Sequence, residues 1–120
     1  MMRIAVLVTV VLVLSASAPP AFALSASPGE IMANVDRYDG QPITTRGTVK
    51  NLRETVSRRG NAYYTFDLVD GSRGVKVFSF GNAPCQVGSA ATVEGTFKKV
   101  TQQGRYVFYN EIQATSVICR

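Results

Sequence analysis

The sequence predicts a mainly β protein, a five-stranded Greek-key barrel preceded by one short helix. Three observations favour this fold. From residue 41 onward, polar and apolar residues alternate along several segments, which is the period of strands with one buried face. Turn-forming residues separate these segments, for example at residues 70–74 and 102–104. Before residue 41, apolar residues recur at helical spacing instead.

The first 23 residues have the order of a cleaved secretory signal. Arg3 precedes an apolar run at residues 4–14, and small residues then lead to an Ala-x-Ala triplet that ends at Ala23. A transmembrane anchor is the main alternative, but it needs about 20 apolar residues. This run is shorter and is followed by Pro19 and Pro20. We therefore expect cleavage after Ala23 and a periplasmic or secreted protein, with no transmembrane anchor after processing.

Cleavage would leave 97 of the 120 residues, enough for one domain. Residues 24–40 are expected to form a polar leader and the short helix, and residues 41–120 the barrel. A domain of that size buries only about 60–65% of the surface that its unfolded chain exposes. Its hydrophobic core is therefore modest.

Two cysteines, Cys85 and Cys119, lie in the expected mature part. Thiols outside the cytoplasm tend to oxidise, and small domains gain much stability from a crosslink. The 34 positions that separate the cysteines (119 − 85) give a loop whose closure is worth roughly 3–4 kcal/mol. A metal or redox site is the alternative, but the sequence has no histidine and no Cys-x-x-Cys pair. We expect a disulfide, and neither metal nor cofactor.

A helix is predicted to start at Ser27, a good capping residue. Pro28 suits the first helical position, and Glu30 suits the positive end of the helix dipole. Apolar residues then recur at i, i+4 and i+7, at Ile31, Val35 and Tyr38. The helix is expected to end at residues 39–40.

Five strands are predicted after the helix, at residues 41–56, 62–69, 75–80, 89–101 and 105–118. The first is long, slips in register in its second half, and carries Gly47 where a barrel strand bends sharply. In the second and third strands, alternation predicts which side chains fill the interior: Tyr64, Phe66, Leu68, Val75 and Val77.

The strands carry motifs that resemble the OB-fold superfamily. They are GTV at residues 47–49, YTFDLVD at residues 64–70 and VEGTF at residues 93–97. The spacing of these motifs is similar to that of nucleic-acid-binding OB domains of the anticodon-binding and helicase-associated type, here in an exported chain. The resemblance spans residues 40–118. The sequence departs from the common pattern in two ways. A short loop at residues 81–88 replaces the helix usually found between the third and fourth strands, and a helix precedes the first strand.

The resemblance implies a ligand site on the outer face of the second and third strands, flanked by two loops. The candidate ligand-binding residues face outward or lie in the first of these loops: Arg46, Lys50, Arg58, Arg59, Tyr63, Thr65, Lys76 and Phe78. Basic residues near the second loop can add to them, at Lys98, Lys99 and Arg105. In the alternative interpretation, Phe78 and Phe80 pack beneath the helix, Tyr63 is an ordinary cross-strand partner, and the loop arginines are simply solvated.

The charge balance favours an anionic partner. The mature chain would carry 12 basic and 8 acidic residues, a net charge of +4, and basic excess attracts polyanions. Without histidine the chain lacks the commonest general base, and its carboxylates are scattered. We therefore expect a non-catalytic module that binds single-stranded nucleic acid or another extended polyanion. The alternative is an envelope-resident interaction protein, similar to small exported OB proteins of stress tolerance, that binds a protein, a glycan or a small ligand.

Overall fold

The computed structural model describes residues 23–120, so the predicted signal segment lies outside the described residues except for Ala23. The described chain is mainly β, as predicted. Two short helices and six strands follow one another: β1 (Leu24–Ser25), α1 (Pro28–Ala33), α2 (Val35–Tyr38), β2 (Pro42–Val56), β3 (Ala62–Asp70), β4 (Arg73–Phe80), β5 (Ala90–Gln103) and β6 (Tyr106–Cys119).

All six strands belong to one sheet, in the order β1-β2-β3-β4-β6-β5. β5, the last strand in this order, also pairs with β2. The pairs β1–β2 and β4–β6 are parallel, and the others are antiparallel. The five long strands, β2 to β6, correspond to the five that the sequence predicts.

The predicted single helix is two short helices in the structure. Ser27 caps α1 through a capping box, because its hydroxyl accepts from the Glu30 N–H at 3.1 Å and its own N–H donates to the Glu30 carboxylate at 3.4 Å. The break comes at Asn34, whose backbone leaves the helical region at φ −139° and ψ 49°. Its side-chain amide donates to the Glu30 carbonyl at 3.0 Å. Asparagine competes with the helix in this way, and residue periodicity does not report it.

The predicted polar leader begins with a strand. Leu24 and Ser25 pair in parallel with Ile43 and Thr44 of β2, and the Ala26 N–H donates to the Thr44 carbonyl at 3.1 Å. Two paired residues are too few to produce a visible alternation in the sequence. This edge of β2 is therefore covered by a segment for which no element was expected.

The apolar faces of the long strands form one core. Every side chain predicted to fill the interior of the second and third strands is buried there. Val49, Val93, Phe97 and Ile112 join them from the other long strands, and Ile31 of α1 adds a fully buried side chain. Burying a side chain of this size stabilises a protein by about 1.5–3 kcal/mol.

The predicted disulfide between Cys85 and Cys119 is confirmed, with a Cα–Cα distance of 5.4 Å. It joins the loop before β5 to the end of β6, where Cys119 is the register partner of Ala91. Within residues 23–120, no helix is long and apolar enough to cross a bilayer, and no three His, Cys, Asp or Glu side chains lie close enough together to hold a metal ion.

Candidate functional site

Three aromatic side chains meet on the outer face of β3 and β4, and we call Tyr63, Phe78 and Phe80 the aromatic cluster. Tyr63 is the register partner of Phe80, and its ring centroid lies 5.4 Å from that of Phe78. The Phe78 and Phe80 rings meet edge to face at 5.0 Å. Phe80 is 72% exposed, whereas Tyr63 and Phe78 are half-buried. The cluster thus presents ring surface to solvent.

The amino-terminal helices do not cover Phe80. Gly29 of α1 lies beside Arg73 at the start of β4, since Arg73 Cδ lies 3.7 Å from the position that a Cβ on Gly29 would occupy. Phe80 is the last residue of that strand and is 72% exposed. The alternative that both phenylalanines pack beneath the helix is therefore wrong for Phe80.

A row of charged residues crosses the sheet beside the aromatic cluster, with one residue from each long strand. Each residue of the row is the register partner of the next one, on the neighbouring strand. We call this the charged row: Lys50, Asp67, Lys76, Glu111 and Lys98. Its signs alternate, so each carboxylate lies between two lysines. Three cations and two carboxylates leave the row with a positive excess.

Asp67 is paired on both sides. Its carboxylate accepts a hydrogen bond of 2.8 Å from the Asn51 side-chain amide, and the Lys76 ammonium lies 3.9 Å away. Asn51 occupies the left-handed region at φ 52°, within a bulge of β2, a conformation that asparagine tolerates better than most residues. Because the carboxylate is already engaged, it repels an approaching anion less than a free one would.

Glu111 is the other carboxylate of the row, and it is buried. Burial raises its pKa above the ordinary value, because desolvation disfavours the charged form, and the positive charge of Lys76 opposes that rise. A glutamate in this position is tolerated because lysines flank it on both neighbouring strands.

The structure brings five of the eight predicted site residues together on this face: Lys50, Tyr63, Thr65, Lys76 and Phe78. Arg58 and Arg59 are exposed in the turn that follows β2. That turn borders the Tyr63 end of β3, because Val56 pairs with Ala62.

Arg46 does not belong to this surface. It lies four residues before Lys50 on β2, a distance of roughly 13 Å along the strand. This part of β2 points away from the aromatic cluster. Arg46 has Thr92 of β5 as its register partner, and it lines a separate groove with Arg120. Alternation in the sequence predicts which face of its own strand a residue lies on. It does not predict which neighbouring strand lies beside that residue.

The three basic residues predicted near the second loop, Lys98, Lys99 and Arg105, have different partners. Lys98 belongs to the charged row, whereas Lys99 forms an ion pair of 2.7 Å with Asp36 of α2. That hydrogen bond raises the pKa of Lys99 and ties α2 to β5. The Arg105 guanidinium lies 5.8 Å from the centre of the Tyr106 ring.

Sequence reasoning missed Phe80 and the aromatic residues of the β5–β6 hairpin as candidates. Tyr106 and Phe108 stack with their centroids 6.5 Å apart and are 57% and 39% exposed. Tyr109 is 68% exposed. The signal was the aromatic alternation at residues 106–108 next to Arg105, in a strand whose buried residues are Glu111 and Ile112.

Comparison with known proteins shows likeness at the level of fold. No protein-family model and no curated protein matches the sequence. Among solved structures, the chain is similar to a crystal structure assigned as an aspartyl-tRNA synthetase from Leishmania major Friedlin, with a TM-score of 0.62 and 15% sequence identity. The match covers 86% of this chain and 22% of that chain, so this chain spans about a fifth of the other's length. The shared fold is consistent with the OB type that the sequence motifs resemble.

Proposed function

We propose that this chain is an exported OB-fold domain that binds single-stranded nucleic acid, or another extended polyanion, without catalysis. In this proposal the five long strands form a Greek-key barrel, which the additional pairing of β2 with β5 supports. The observation that carries the function is the exposed aromatic cluster beside the lysines of the charged row.

The proposed mechanism combines base stacking with charge. Bases stack on the exposed ring of Phe80 and on the half-buried ring of Tyr63, and each such contact is worth about 1–3 kcal/mol. Phosphates follow Lys50 and Lys76 on one side and the arginines of the β2–β3 turn on the other. The Asn51 and Lys76 contacts to Asp67 reduce the repulsion that this carboxylate would otherwise exert on phosphate.

The solved structure of similar fold supports a nucleic acid as the ligand. The name of that protein specifies a tRNA. The outer face of strands two and three is the usual binding surface of OB folds, and the aromatic cluster lies on the corresponding strands, β3 and β4.

Export to the periplasm or the medium is part of the proposal. It rests on the signal-like order of residues 1–23 and is supported by the disulfide, which an oxidising compartment favours. Amino-terminal sequencing of the exported protein should begin at Leu24. A start at Met1, or retention in the membrane, would reject this part.

Titration of a fluorescently labelled oligothymidylate tests the binding function. We expect log K to fall linearly with log salt, with a slope of about −0.7 for each phosphate contacted. Phe80→Ala should weaken binding by about 1–3 kcal/mol. Val87→Ala is the matched control, since Val87 is similarly exposed, at 66%, but lies in the loop before β5. Absence of binding even at low salt, or equal losses in both variants, would leave the interaction-protein alternative.

A further inference from the structure

A second polar surface lies along the seam between β2 and β5, away from the aromatic cluster. An open groove of about 510 Å³ crosses this seam, with small side chains of β5 along it and with the β3–β4 turn and the end of β6 at its edges. Its volume falls within the range of about 300–1,000 Å³ that small-molecule sites occupy. The side chains that bear on ligand binding are Arg46, Thr48, Asp70, Thr92, Ile118 and Arg120.

Two arginines line this groove, Arg46 on β2 and Arg120 directly after β6. The two ion pairs found within residues 23–120 involve other side chains, so both guanidiniums are available to a ligand. Arginine presents its N–H donors in a planar fork that matches the two oxygens of a carboxylate or phosphate. The groove is therefore suited to an anionic group.

The disulfide holds one of these cations in place. Cys119 is bonded to Cys85 and is the register partner of Ala91, and Arg120 is the next residue. The Arg120 N–H also donates to the Ala90 carbonyl at 2.8 Å. The end of β6 is thus fixed against β5, and Arg120 is kept at the edge of the groove.

The remaining polar groups of the groove point to a ligand that also carries hydroxyls. Asp70 supplies a carboxylate that accepts hydrogen bonds but repels a purely anionic ligand, and Thr48 and Thr92 supply hydroxyls that donate and accept. Ile118 is 61% exposed and offers an apolar contact for the C–H face of a ring. The groove thus combines cations for an anionic group, hydrogen-bonding groups for hydroxyls and an apolar side chain.

We propose that this groove binds an anionic sugar, one that bears a carboxylate or a phosphate, between Arg46 and Arg120. The ligand's charged group pairs with the guanidiniums, and its hydroxyls bond to Asp70 and the two threonines. This site is separate from the proposed nucleic-acid surface and does not depend on it.

Calorimetric titration of the mature chain with glucuronic acid and with glucose 6-phosphate tests the proposal. Glucose and inorganic phosphate are the control ligands. We expect at least one anionic sugar to bind more tightly than either control. Preference for glucuronic acid would identify a carboxylate as the recognised group, and preference for glucose 6-phosphate a phosphate. Failure of both sugars to bind, or binding no tighter than that of glucose or inorganic phosphate, overturns the proposal.

Variants then locate the site. Arg46→Gln and Arg120→Gln should each weaken sugar binding by about tenfold or more, because each removes charge-assisted donors. Arg59→Gln is the matched control, an exposed arginine in the β2–β3 turn, and should leave sugar binding unchanged. Equal loss in all three variants overturns the assignment to this groove. Phe80→Ala should keep full sugar affinity, so failure of nucleic-acid binding and failure of sugar binding are separable.

Discussion

The ring of Phe78 lies 5.4 Å from the ring of Tyr63 on the neighbouring strand, tilted by 32°. Both rings are on the outer face of β3 and β4, whereas Phe66, which follows Thr65 on β3, is fully buried on the inner face. The two phenylalanines therefore occupy opposite faces of one hairpin. Their replacement should have different consequences for stability.

Phe66→Ala should lower the free energy of unfolding by about 3–5 kcal/mol, because it leaves a cavity in the core. Phe78→Ala should cost less, because the ring is only half-buried and the change removes two aromatic contacts worth about 0.5–1.5 kcal/mol each beyond area burial. Urea unfolding of both variants checks this difference. If Phe78→Ala proves as destabilising as Phe66→Ala, Phe78 is a core residue and does not serve as a stacking surface.

Removal of the disulfide should be costly. Replacing Cys85 and Cys119 together with serine opens a loop of 34 residues, which should lower the free energy of unfolding by roughly 3–4 kcal/mol. Urea unfolding without reductant measures this loss, and wild-type protein with reductant provides the control. A double variant as stable as the oxidised wild type would contradict the expected contribution of the crosslink.

Gly95 lies at a register shift between β5 and β6, where the β6 backbone passes close to it. A Cβ at this position would lie 2.7 Å from the Ala114 Cα and nearer still to the Gln113 carbonyl oxygen. Backbone atoms cannot move aside cheaply, so Gly95→Ala should destabilise by about 1–3 kcal/mol. Gly29→Ala is the control, because its added Cβ would make only ordinary contacts with Arg73. Thermal unfolding of both variants distinguishes them, and similar melting temperatures would refute the steric argument.

Glu111 should make stability depend on pH. Burial raises the pKa of this carboxyl above its ordinary value of 4.5, so the folded protein keeps a proton that the unfolded chain has released. The unfolding free energy should therefore fall as the pH rises from about 4.5 through the raised folded-state pKa.

Glu111→Gln should remove this part of the pH dependence. Urea unfolding between pH 4 and 8 tests it, with Glu94→Gln, an exposed glutamate of β5, as the control that keeps the wild-type profile. Because Lys76 and Lys98 lose their shared partner in Glu111→Gln, the profile is more informative than stability at one pH. An unchanged profile would show that burial of Glu111 does not affect its titration.

Much of the secondary structure was predictable from local patterns. Alternation predicted the five long strands, and it assigned Tyr64, Phe66 and Leu68 to the interior. The start of the first helix was predictable from Ser27 as the capping residue and Pro28 at the first helical position. These features depend on neighbours a few residues apart, which the sequence displays directly. The break at Asn34 and the pairing of β1 were missed because each depends on one or two hydrogen bonds with no periodic signature.

The composition of the candidate surfaces was only partly predictable. The sequence by itself determined the alternation that puts Tyr63, Thr65 and Phe78 on an outer face, and its two cysteines permitted a single pairing within the chain. Only the tertiary structure decided that β6 lies between β4 and β5, which puts Glu111 between Lys76 and Lys98. It also separated Arg46 from the aromatic cluster and placed it in a groove with Arg120. The physical reason is that side-chain direction follows from local backbone geometry, whereas the register between distant strands depends on how all five pack around one core.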